Sequence, residues 1–194
     1  MDNRPVFFYD FNSPYAWLAA ERVNSVLPVP PVWQPVSFGH ILQATGRTPW
    51  SFSEPSKSEG IAEIERRAAE RELPAPRWID GWPLGTYSLL PLRAAIFAKE
   101  AGRAVSFSLA AFRQFFAAGR TLAELDNVLI AAAASELHPR AVTKGVESRS
   151  VKDALREATE QAIALGVPGV PTVAVGEQLF WGDDKLEEAA AVLS

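Results

Sequence analysis

Hydrophobic positions follow two rhythms, with short apolar runs near both ends of the chain and helical spacing through most of its middle. The first run, Pro5 to Asp10 (Pro-Val-Phe-Phe-Tyr-Asp), is bounded by Pro and Asp and predicts a buried strand. Asn12-Ser13-Pro14 follows with a capping residue and a proline suited to the first helical turn. A helix is expected from there through Trp17-Leu18-Ala19-Ala20-Glu21 to about Val26. The Pro-rich stretch Leu27 to Pro31 breaks the chain before a second strand, Val32 to Phe38, in which Pro35 argues for a sheet edge or a bulge.

Gly39 to Pro83 is less regular. It holds a predicted loop, Thr45-Gly46-Arg47-Thr48-Pro49-Trp50, and a charged helix from about Ser58 to Glu72 whose polar face carries i,i+4 pairs such as Glu63-Arg67. From Ser88 the spacing is helical: Leu90, Ala94, Phe97, Ala98 and Ala101 share a face, as do Leu109, Phe112 and Phe116. Leu122, Leu125, Leu129 and Ala132 repeat the pattern, as do Val151, Leu155, Ala158, Ala162 and Leu165. Gly102, Gly119 and His138-Pro139 punctuate these helices. After Gly166 the period shortens. Val170 to Val175 predicts a strand, Gly176-Glu177 a turn and Gln178 to Trp181 its hairpin partner. Asp183-Asp184 is placed to cap a last helix bearing Leu186, Ala190 and Leu193. The order β-α-β, helices, β-β-α predicts an α/β fold, a thioredoxin-like core interrupted by a large α-helical insertion. Residues 1-38 and 166-194 form the core in this reading, and 39-165 the insertion.

The formal net charge of -4 supplies no broad basic field, so nucleic acid is not an expected partner. No uninterrupted apolar run reaches bilayer length, and Met1-Asp2-Asn3-Arg4-Pro5 lacks a secretory pattern, so a cytoplasmic, membrane-free location is expected. The chain has no cysteine, which excludes disulfides, thiolate metal sites and redox chemistry on its own sulfur. His40 and His138 lie far apart in sequence without partners at ligand spacing, so no metal site is expected. If the protein works through sulfur, the sulfur must arrive with a ligand.

Ser13 is the first candidate for chemistry. At a strand-to-helix junction, unpaired N–H groups and the positive helix end favour an anion such as a thiolate, and a serine hydroxyl can hydrogen-bond it. Taken alone, Ser13 reads more simply as a helix cap. Val170-Pro171 is the second: a residue before a strand-leading proline can present its backbone to an extended peptide, or the proline can simply begin the strand. Asp183 and Asp184 could grip an ammonium, though capping alone would explain them. Trp50, Trp78 and Trp82 could stack on a hydrophobic substrate or be buried under loops.

Together these segments resemble one family. Tyr9-Asp10-Phe11-Asn12-Ser13-Pro14-Tyr15-Ala16-Trp17-Leu18-Ala19, Lys57, Leu89 to Ala95, Val170-Pro171-Thr172 and Phe180 to Glu187 look like 2-hydroxychromene-2-carboxylate isomerases and kappa-class glutathione transferases. The resemblance implies a glutathione-dependent isomerase of aromatic oxo acids, acting by reversible thiolate addition. It also implies a fold related to disulfide oxidoreductases, with Ser13 and Ala16 where the two redox cysteines would stand. Ser13 would bond the glutathione sulfur, Val170 before Pro171 the glutathione backbone, Asp183 and Asp184 the γ-glutamyl end, and Lys57 the glycine or substrate carboxylate. Arg47 and Tyr87 depart from the asparagines that relatives often carry on the substrate side. A kappa-like glutathione transferase and a non-catalytic thioredoxin-fold binding protein are the alternatives. Phe107, Phe112, Phe115 and Phe116, crowded into one stretch, further predict a homodimer that covers part of this aromatic surface.

Overall fold

The computed structural model describes residues 4–193; Met1-Asp2-Asn3, read above for a leader, lies outside them. The first apolar run forms β1 (Val6–Tyr9). Its side chains alternate across the sheet, and both faces are covered. Phe7 and Tyr9 stack at 5.5 Å between ring centroids and meet Trp33 edge-on, while Phe8 packs on the opposite side with Val36, Ile41 and Ala162. Double burial makes β1 a central strand. It pairs in parallel with β2 (Val32–Pro35) and antiparallel with β3 (Thr172–Val175), which pairs antiparallel with β4 (Gln178–Trp181). The sheet order is β2-β1-β3-β4, so Pro35 sits on an edge strand, where a missing N–H does no harm.

The expected first helix divides into α1 (Pro14–Ala20) and α2 (Val23–Val26). The second strand stops at Pro35, and Phe38 instead opens α3 (Phe38–Thr45), a helix absent from the sequence reading. Its large apolar positions, Phe38, Ile41 and Leu42, span little more than one turn, too short a stripe to establish a helical period in the sequence. It ends at Gly46, whose φ of 66° is the left-handed cap that glycine adopts at little cost. The charged helix is α4 (Ser56–Glu70).

The helical middle continues as α5 (Leu89–Glu100), α6 (Ala104–Phe112), α7 (Leu125–Ala134), α8 (Pro139–Glu147) and α9 (Arg149–Ala164). One π turn, Arg113–Ala117, extends α6. Ser148 separates α8 from α9 and caps the latter by accepting the Val151 N–H at 3.3 Å. The chain closes with α10 (Leu186–Val192).

Helices α4 to α9 share one apolar core with one face of the sheet and α1, while α3 packs on the other face with Phe8. Trp17 stacks on Phe116 at 5.5 Å, and the Tyr9 hydroxyl reaches Ser108 Oγ at 2.6 Å. Phe107, Phe112, Phe115 and Phe116 are all buried inside the chain, at most 3% exposed. That corrects the ground for the homodimer: each ring contributes about 2 kcal/mol of burial to this fold and leaves no aromatic surface for a second copy. Among the described residues no helix is long and apolar enough to cross a membrane.

Candidate functional site

The site begins with Asp10, at the end of β1, which is 1% exposed. Its Oδ1 accepts the Asn12 N–H at 3.0 Å, and its Oδ2 accepts the Phe38 N–H at 2.8 Å and the Ser88 hydroxyl at 3.1 Å. One carboxylate thereby joins the strand end to the starts of α3 and α5. Burial pushes its pKa above the usual carboxylate range, and the three hydrogen bonds pull it back.

Asp10 O also accepts the Ser13 N–H at 3.1 Å, fixing the turn into α1. Ser13 is 6% exposed and is the N-cap of α1. Its Oγ accepts the Ala16 N–H at 3.1 Å and donates to Val170 O at 3.2 Å. The capping role is therefore real. The second bond adds something that the sequence did not show: a direct tie between the two family motifs, 157 positions apart. The Val170-Pro171 bond is cis, Pro171 O accepts the Gly182 N–H at 3.0 Å, and among the described residues nothing accepts the Val170 N–H.

Ser13, Val170, Pro171, Asp183 and Asp184 line one cavity of about 490 Å³. Lys57 is not among its lining residues; it lies half-buried in the first turn of α4. The cations lining the cavity are Arg47 and Arg67. The Arg47 guanidinium lies 4.3 Å above the Trp181 ring and donates to Pro168 O at 3.1 Å. Arg67 donates to Glu63 and to Asp183 Oδ1, both at 2.6 Å, and lies 5.5 Å from the Tyr15 ring centre. Arg66 and Arg67 together hold the Glu63 carboxyl down to about 2.

Asp183 itself is 1% exposed and is flanked on its other oxygen by Arg71, also at 2.6 Å. Neither acid caps α10, whose N-cap is Lys185 with no side-chain bond, so the capping expectation for Asp183 and Asp184 is corrected. Arg67 was hidden in the sequence because the Glu63-Arg67 spacing suits an ordinary solvated face. The usable signal was Asp183, since an acid flanked by buried residues needs a cation from elsewhere in the chain.

One wall is aromatic. Tyr15 meets Trp50 at 5.8 Å, Trp50 meets Trp82 at 5.7 Å, and Trp82 meets Trp78 at 4.8 Å. Trp50 leans on Gly60 so closely that a Cβ there would lie 2.2 Å from its ring. We expect Gly60→Ala to displace Trp50, to shift the tryptophan emission and to cost about 1–3 kcal/mol by urea denaturation. Unchanged emission together with an unchanged midpoint would show that the contact relaxes freely.

A second cavity, about 420 Å³, adjoins the first and shares Asn12, Phe38, Leu42, Pro49 and Ser51 with it. Phe52, Leu84 and Tyr87 line its exposed side. Arg47 thus borders the first cavity and Tyr87 the second.

Residues 6–194 match the family model described as "DSBA-like thioredoxin domain". The chain is 27% identical to a 2-hydroxychromene-2-carboxylate isomerase of Sphingobium xenophagum, across 93% of each sequence. It is 26% identical to glutathione S-transferase kappa 2 of Caenorhabditis elegans, across 100% of this chain and 94% of that one. A solved structure of a 2-hydroxychromene-2-carboxylate isomerase superposes with a TM-score of 0.87 at 17% identity, covering 97% of this chain and 93% of the other.

Proposed function

This chain belongs to the DSBA-like thioredoxin domain family and has no cysteine, and we propose that it takes its sulfur from glutathione to isomerise aromatic oxo acids, in the manner of 2-hydroxychromene-2-carboxylate isomerases. The observation that carries the reading is the convergence of Ser13, Val170 and Asp184 on one cavity at the start of α1. The described groups fit a γ-glutamyl tripeptide. Among the described residues the Val170 N–H has no acceptor, Asp184 can meet an ammonium, and Arg67 and Arg47 can meet carboxylates.

Glutathione, when bound, supplies a thiolate that adds reversibly to a conjugated carbon, lets the former double bond rotate and leaves again. The protein's part is to keep that sulfur ionised. The start of α1 presents its positive end there, and Pro14 carries no N–H of its own to compete. The Ser13 hydroxyl turns from Val170 O to the sulfur, while its oxygen keeps the Ala16 N–H. The adjoining cavity, with Phe38, Phe52 and Tyr87, holds the aromatic ring. Lys57, off the cavity lining, cedes the glycyl carboxylate to Arg47 in this reading.

The kappa transferase relative favours a second reading, in which the conjugate is released instead of resolved. We expect glutathione at millimolar concentration to raise the melting temperature through linkage and to give binding heat in calorimetry. No heat and no shift would remove both enzyme readings and leave a binding protein. Chromatography of products then separates the two: an isomer with glutathione regenerated, or a conjugate with glutathione consumed.

A further inference from the structure

Next to the second cavity, between α3, α5 and α9, lies a third of about 540 Å³ that the proposed reaction has not used. Leu155 and Ile163 give it an apolar floor, and Arg93, Lys152 and Arg156 bring cations to it against one acid, Glu160. Ser37, His40, Gln43 and Leu89 line both cavities, so the two are neighbours across a shared wall. Among the described residues lining the second cavity there is no lysine or arginine, and the one acid is the buried Asp10. An aromatic acid with its ring there lacks a counter-charge within that cavity, and with Arg47 and Arg67 of the first cavity assigned to glutathione, the adjoining cations that remain are those of the third.

Those cations are not equivalent. Lys152 holds Glu147 at 2.8 Å, and Arg156 lies 3.3 Å from Asp153 and 3.8 Å from Glu160. Arg93 is half-buried on α5 and has no hydrogen-bond or ion-pair partner among the described residues. Glu147 feels its charge, but Lys152 is the hydrogen-bond partner of that acid. A carboxylate can therefore meet Arg93 without displacing a protein acid, and the planar guanidinium suits it in a bidentate way.

We propose that the third cavity is a recognition site for the carboxylate of a small aromatic acid, with Arg93 as its specificity-determining residue. Its volume lies within the range of small-molecule sites. Only the identity of the acid as substrate rests on the reading of the second cavity above; binding at Arg93 does not require glutathione.

The test titrates the full chain, without glutathione, with 2-naphthoate and with neutral 2-naphthamide, by calorimetry or chemical-shift mapping. We expect the acid to bind at least about ten-fold more tightly than the amide, a difference of about 1.4 kcal/mol. Arg93→Gln should abolish that preference, and Arg93→Lys should keep part of it. Ala44→Trp, which fills the cavity from an exposed position on α3, should weaken both ligands. Equal affinity of the wild type for acid and amide, no binding of the acid at millimolar concentration, or an unchanged preference in Arg93→Gln would each overturn the proposal. A parallel glutathione titration keeps the two ideas apart: failure there with acid preference intact removes the cofactor reading and leaves this site standing.

Discussion

In the proposed glutathione-dependent reaction, replacing Ser13 with alanine is expected to raise the pKa of the bound thiol and to lower turnover near neutral pH by about ten-fold or more, the scale of losing one charge-assisted hydrogen bond. Ser13 Oγ already performs two structural tasks, accepting the Ala16 N–H and donating to Val170 O. Loss of the cap alone should cost about 1 kcal/mol of stability, and loss of the tie to the Val170 segment about as much again. A purely structural Ser13 would thus weaken the protein yet leave the folded fraction fully active.

The sulfur's titration is what separates the two. Absorbance of bound thiolate against pH should move to higher pH in Ser13→Ala, because a hydrogen bond to the charged form is lost. The rate profile should move with it, so that activity recovers in part at alkaline pH. Superimposable titrations would confine Ser13 to capping. Ser13→Cys offers a second view. With Ala16 at the following motif position no internal disulfide can close, so this variant should form a mixed disulfide with glutathione, visible by mass.

The long helices were legible because burial of one helix face leaves a period in the sequence, and the strands because they are short apolar runs bounded by turn residues. Phe7-Phe8-Tyr9 carries no alternation, and that lack of polar positions is itself the mark of a strand covered on both faces. α3 was not legible, since a short helix whose exposed side lines cavities has few apolar positions to repeat. Ser13 and Val170 could be found as motifs, but their 3.2 Å contact is a product of the fold. Arg67 and Arg93 were missed as site cations, and Arg47 was noted only as a departure from an asparagine, for a common reason. A cation's meaning depends on what faces it, and local spacing only reports its neighbours along the helix.

The two adjacent acids should behave in opposite ways. Asp183 is buried between Arg67 and Arg71, whose side chains remain 21% and 20% exposed. Asp183→Asn would leave two guanidinium groups facing a neutral amide, and breaking a buried pair from one side is expected to cost about 3 kcal/mol. The partial exposure of both arginines keeps this at the low end of such losses. Asp184 lines the same cavity with no partner of this kind among the described residues; its Oδ1 lies 2.4 Å from where a Cβ on Gly182 would stand, so Gly182, at a φ of 126°, gives it room. Asp184→Ala should shift the urea midpoint little, within about 0.5 kcal/mol. If Asp184 takes the γ-glutamyl ammonium, the same change should weaken glutathione about ten-fold or more by calorimetry, as loss of a charge-assisted bond does. Arg67 also faces the cavity, so Asp183→Asn is compared on stability, where its effect is unambiguous. An unchanged midpoint in Asp183→Asn would show that the arginines find water instead. Unchanged glutathione affinity in Asp184→Ala would move the ammonium site away from the last helix, and Asp183, although enclosed by its arginines, would have to be reconsidered as the group that binds it.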